Sequence, residues 1–98
     1  MPYIKEEARQ FLDECIESMI ECLTHGNNVS NDEFMQIAGE INYSFSRILA
    51  GSMGDVSYSK ICIITGVLEN IKQEFYRRMA EPYEDKKIRE NGDIKEYK

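Results

Sequence analysis

Between Glu33 and Gly51 the apolar residues Phe34, Ile37, Ala38, Ile41, Phe45, Ile48 and Leu49 recur at steps of three and four. On a helix of 3.6 residues per turn these steps draw one continuous apolar stripe, so the stretch reads as an amphipathic helix that needs a partner. Its opposite side is a second constraint. Gln36, Gly39, Glu40, Tyr43 and Arg47 collect there and carry few charges for a face that meets only water. A glycine inside a helix costs about 1 kcal/mol relative to alanine. Gly39 therefore marks either a close approach by another backbone or a position the fold tolerates.

The stretches on either side follow the same logic. From about Lys5 to His25, the stripe Ile4, Ala8, Phe11, Leu12, Cys15, Ile16, Met19 and Leu23 lies opposite Glu6, Gln10, Asp13, Glu14, Glu17 and Glu21, which predicts a first helix with a solvated outer face. Gly26 is placed to end it in the left-handed region, with Asn27 and Asn28 continuing the turn. Ser30 and Glu33 have the spacing of a capping box at the start of the second helix. Gly51, Ser52, Met53, Gly54 and Asp55 form a connection short enough for antiparallel neighbours. A third helix is expected from a cap at Asp55 or Ser57 to about Glu81, ahead of Pro82. Ile61, Ile64, Leu68, Ile71 and Phe75 give it a seam resembling that of a coiled coil, widened by Val67 and Ile63. Arg77 and Arg78 stand where the dipole of a helix end favours cations.

Gly66 lies behind this seam as Gly39 lies behind the second stripe, and in an antiparallel hairpin of the two helices they come to nearly one height. Small residues let backbones approach, and small domains gain burial as symmetric oligomers. Gln36, Gly39, Tyr43 and Gly66 are therefore expected at an oligomer interface. Beyond Pro82 the composition changes: of the last eighteen residues eleven are charged, which argues for a mobile end. Asn91 and Gly92 with Ile88 and Ile94 allow a short hairpin. The expected architecture is all-α, an antiparallel three-helix bundle over residues 1–81 with an extended or hairpin C-terminal tail over 82–98.

Charge and composition narrow the chemistry. The net charge is -6, without a basic stripe, which makes the chain a poor ligand for duplex nucleic acid. No apolar run is long enough for a membrane span or a signal peptide, so a cytoplasmic protein is expected. Cys15, Cys22 and Cys62 cannot all pair and suit small buried side chains in a reducing compartment. One histidine, His25, and no short cysteine pair leave no metal signature, and no cofactor is expected. Gly51–Gly54 lacks the lysine of a phosphate loop. A metal-dependent, helical nucleotide pyrophosphohydrolase is the alternative; it needs inward-facing acids from two helices, and only Glu40 and Glu69 stand near the middle of the second and third.

The candidate binding residues are accordingly Glu40, Asn42, Tyr43 and Arg47 on the second helix, where Glu40, Tyr43 and Arg47 form a ladder at steps of three and four. Arg47 is a fork for a carboxylate or phosphate, and the tail groups Tyr83, Asp85, Lys86, Lys87 and Arg89 are candidates to close over a small anionic ligand or a protein partner.

Several phrases carry a family resemblance: Met1, Pro2, Tyr3, Ile4; Gly39, Glu40, Ile41, Asn42, Tyr43 with Arg47; Glu74, Phe75, Tyr76, Arg77, Arg78; and Pro82, Tyr83, Glu84, Asp85, Lys86, Lys87, Ile88 with Glu90, Asn91, Gly92, Asp93. Together they span nearly the whole chain, which resembles a family of small uncharacterised proteins from bacteria and their phages. The resemblance brings no catalytic residue with it. It implies that the tail is an integral part of the protein, and it fits a small oligomeric binding module that captures a nucleotide or a host protein.

Overall fold

The structure, a computed structural model, describes residues 4–98; Met1, Pro2 and Tyr3 of the opening phrase lie outside the described residues. The fold is all-α, and the described residues contain no strand. The chain divides into two units, Met1–Asp55 and Val56–Lys98.

The first unit is a pair of helices, α1 (Glu6–Thr24) and α2 (Asn31–Ser52), which touch each other. α1 ends at His25, which adopts the left-handed conformation at φ 54°, one residue ahead of the expected position, and Gly26 follows at φ 73°. Two successive left-handed residues turn the chain sharply here, and the Thr24 hydroxyl accepts from the Gly26 amide at 3.3 Å. α2 begins at the expected cap. The Ser30 hydroxyl accepts from the Glu33 amide at 3.3 Å and donates to the Glu33 carboxylate at 2.9 Å. Glu33 thus closes the box on the Ser30 hydroxyl, and Asp32 and Glu33 in the first turn complement the helix dipole. Ile37 on α2 is the one buried apolar side chain among the described residues, 8% exposed.

The second unit opens with α3 (Tyr58–Phe75), capped by the Ser57 hydroxyl, which accepts from the Lys60 amide at 3.2 Å. The helix was expected to stop before Pro82, and it does not. Residues 76–80 form a π turn, Tyr76–Ala80, and α4 (Glu81–Asn91) continues from it with Pro82 in its first turn. Proline has no amide to donate, and its ring crowds the carbonyl four residues back, here that of Arg78. In the π turn the Glu81 amide donates to the Tyr76 carbonyl, five residues back, so the helix widens by one residue just where the ring enters.

The expected extended or hairpin tail is therefore corrected. Residues 82–91 are helical, and Asn91 and Gly92 close a helix rather than a hairpin: Gly92 has φ 85° and its amide donates to the Ile88 carbonyl at 2.7 Å. A composition rich in charge is compatible with a helix when the charges pair along it, as Lys87 and Glu90 do at 3.2 Å. A short 3-10 turn, Lys95–Tyr97, follows.

Candidate interaction surface

Helical periodicity alone brings the α2 candidates together. Gln36, Gly39, Glu40, Tyr43 and Arg47 occupy one side, with Asn42 beside them. Glu40 is half-buried and its carboxylate accepts from the Gln36 amide nitrogen at 3.4 Å. The Asn42 side-chain oxygen accepts from the Ser46 hydroxyl at 3.2 Å. These two bonds hold the polar edge of the face in place. Tyr43 is 65% exposed, and Arg47 is exposed and makes no hydrogen bond or ion pair among the described residues. The face thus presents a solvated ring and a guanidinium whose five donors have water as their only competitor.

The candidates beyond Pro82 form a second group in the other unit. Tyr83 and Lys87 lie one turn apart, with the Lys87 ammonium 5.5 Å from the centre of the Tyr83 ring. Lys87 also pairs with Glu90. Asp85, Lys86 and Arg89 are exposed on the same helix. The expected closure of these residues over Arg47 assumed a free tail; as parts of α4 they are carried on a helix.

Around the π turn the sequence marked Arg77 and Arg78 as helix-end cations but not the pairings that hold them. Glu74 accepts from Arg77 Nη2 at 2.8 Å and from Arg78 Nε at 2.6 Å. Both arginines are thereby tied to one carboxylate, and their pairing favours a structural role. The Tyr76 hydroxyl donates to Glu84 at 2.7 Å across the π turn. That hydrogen bond, then the negative charge of Glu84, raises the Tyr76 phenol above its ordinary pKa. The signal in the sequence was a tyrosine and a glutamate eight residues apart, about two turns, flanking a proline inside an otherwise uninterrupted helical pattern.

Gly39 and Gly66 both face open space, with nothing within 4 Å of where a side chain would begin. Within its own unit, neither glycine is met by another described residue. The three cysteines are free and exposed, where buried positions were expected. Among the described residues no group of three or more His, Cys, Asp or Glu side chains is placed to hold a metal ion, and no helix is long and apolar enough to cross a membrane.

The most extensive surface feature is apolar. α1 exposes Phe11 and Ile16, α2 exposes Phe34 and Phe45, and α3 exposes Ile71 and Phe75, each by half or more of its area. These are stripe residues that the periodicity assigned to a core. Exposed apolar stripes of this kind, each taken on its own helix, mark interaction surfaces.

The family model described as a domain of unknown function, DUF6899, matches residues 1–94. No curated protein and no solved structure matches the chain.

Proposed function

Because the chain belongs to the DUF6899 family, whose match takes in α4 as well as the preceding helices, we propose that it acts as one subunit of a helical interaction module whose apolar faces are completed by further copies of itself. The observation that carries this reading is the contrast between Ile37, the one buried apolar side chain among the described residues, and the stripe residues exposed on α1, α2 and α3. An amphipathic helix gains most of its stability from packing its apolar face, and helices left unpacked in water are marginal. Assembly supplies that packing.

On the assembled module, the α2 face is the binding surface. Arg47 offers a bidentate fork to a carboxylate or phosphate, Tyr43 offers a ring to pack against, and Glu40 and Asn42 add polar contacts around them. Lys86 and Arg89, exposed on α4, are further cations for the same class of anionic ligand or acidic protein surface. The Gly39 face is the place where another backbone comes closest. A prokaryotic or phage cytoplasm is the setting that fits the free cysteines and the sequence phrases, and capture of a nucleotide or of a host protein is the activity that fits a small module of this kind.

Native mass spectrometry of the gently purified protein tests the proposal. A discrete oligomer supports it, and retained mass from a small anion identifies the ligand class. A monomer at micromolar concentration overturns it.

A further inference from the structure

The second unit carries an observation that sharpens this reading. Taken by itself it consists of one helical run over residues 58–91 and a short 3-10 turn, so it contains no second long helix to cover its own apolar stripe. Ile61, Ile64, Leu68, Ile71 and Phe75 follow steps of three and four. An uninterrupted α-helix would next bring round Arg78, three residues after Phe75, about as closely as Met79, four residues after it. The π turn changes this. Its wider turn lets Met79 continue the line, and Arg78 stays on the flank beside Glu74, with which it pairs. The apolar line is thereby lengthened to Met79, which is 63% exposed.

We infer that this stripe, Ile61 to Met79, pairs antiparallel with the same stripe of a second copy, about a two-fold axis near residue 70. The inference rests on the oligomeric reading above and adds the partner face and its direction. Area supports a second copy as the occupant. Roughly 100 Å² from each large side chain, summed over the six residues of the line and the flanking Val67 and Ile63, comes to about 800 Å² per copy, the area per partner of a standard stable interface. The alternation of three and four is the pattern by which two helices interlock side chains.

Charge sets the direction. α4 begins with Glu81, Glu84 and Asp85 and continues with Lys86, Lys87 and Arg89. Glu90 is the one acid in the second half, and it is engaged by Lys87. A parallel, in-register pair sets acid block against acid block and basic block against basic block. Like charges held side by side are destabilising. An antiparallel pair centred near residue 70 carries the two α4 helices to opposite ends, clear of one another, and also opposes the helix dipoles.

Double electron–electron resonance tests the direction. Cys15, Cys22 and Cys62 are replaced by alanine, a nitroxide is placed at Glu90→Cys or, separately, Ser59→Cys, and the mass of each labelled assembly is checked by native mass spectrometry. At 1.5 Å per residue the antiparallel pair gives about 60 Å between labels at 90 and about 30 Å between labels at 59. A parallel pair gives less than about 20 Å at both. Leu68→Glu, at the middle of the line, is expected to weaken assembly at least tenfold. Short distances in an intact oligomer overturn the inference and leave the oligomeric reading standing. An oligomer unaffected by Leu68→Glu overturns the assignment of this face. A monomeric wild-type protein overturns both readings.

Discussion

The two units solve the same problem to different degrees. In the first, the chain turns back through His25 and Gly26 between α1 and α2, and Ile37 is the one buried side chain among the described residues. In the second, a single helical run of roughly 50 Å carries an apolar line from Ile61 to Met79 and buries none of it. Local signals are strong in both: each has a serine cap with its hydroxyl on the third amide of the helix. The difference shows that caps and periodicity build helices, whereas burial needs a second surface. Where a unit holds only one helix, that surface has to come from outside it.

The comparison is broken most directly at the centre of the α3 stripe. Leu68→Glu places a carboxylate where the proposed partner stripe packs, at a cost of about 3 kcal/mol or more. The expected result is loss of the oligomer and a marked fall in helical circular dichroism at low micromolar concentration. An unchanged mass and spectrum would show that the stripe is not a packing face. Ile37→Ala probes the other unit. Removing most of the buried side chain is expected to cost about 2 kcal/mol in urea unfolding. If Ile37 anchors α1 and α2 within one chain, that cost stays the same across a hundredfold dilution, while the destabilisation by Ile71→Ala varies with concentration. Equal concentration dependence for the two variants would erase the distinction between the units.

Smaller effects separate the two helix starts and the interruption between α3 and α4. Ser30→Ala and Ser57→Ala each remove a cap and are expected to cost about 1 kcal/mol. The Ser30 variant has the larger effect of the two, because its hydroxyl also holds the Glu33 carboxylate. Equal losses in chemical denaturation would mean that the second bond contributes nothing. Pro82→Ala restores an amide able to reach the Arg78 carbonyl. The expected outcome is a regular α-helix through residues 76–80, seen in backbone chemical shifts and amide protection, with a stabilisation on the order of 1 kcal/mol.

What the sequence made legible follows the range of the interactions. The cap at Ser30, the cap at Ser57 as one of two candidates with Asp55, and the three main helices rest on contacts within four residues, so local spacing made them legible. The grouping of Glu40, Tyr43 and Arg47 was legible for the same reason, since one helix fixes their spacing. The stretch beyond Pro82 was misread because two local rules compete there. Pro82 reads as a stop only if the preceding turn is an ordinary α turn, and the π turn removes that condition. Asn91 with Gly92 reads as a hairpin turn, yet a glycine with positive φ equally ends a helix. Composition could not decide between them, because it ignores the spacing that pairs Lys87 with Glu90 and Tyr76 with Glu84. The cysteines and stripe residues expected to be buried show the other limit: an apolar face announces that something covers it and leaves the covering surface unnamed.

The smallest expected effect sits at the junction of α3 and α4, where the Tyr76 hydroxyl donates to Glu84. The phenol is held protonated because the carboxylate accepts its proton in a hydrogen bond and because a second negative charge beside Glu84 is unfavourable. The folded-state pKa therefore lies above the unfolded one. The sign follows: the interaction contributes fully below the ordinary phenol range and is lost as pH rises through the raised folded value. Since Tyr76 is exposed, solvent screens much of this, and the effect belongs in a titration rather than in a melting curve. Ultraviolet difference titration against Tyr76→Phe isolates this phenol from the other tyrosines. Glu84→Gln is expected to bring its midpoint back toward the ordinary value, since the glutamine removes the charge while keeping an acceptor oxygen. If the midpoint is the same with and without the carboxylate, Tyr76 and Glu84 do not bridge the π turn in solution, and the widened turn has to be explained by Pro82 alone.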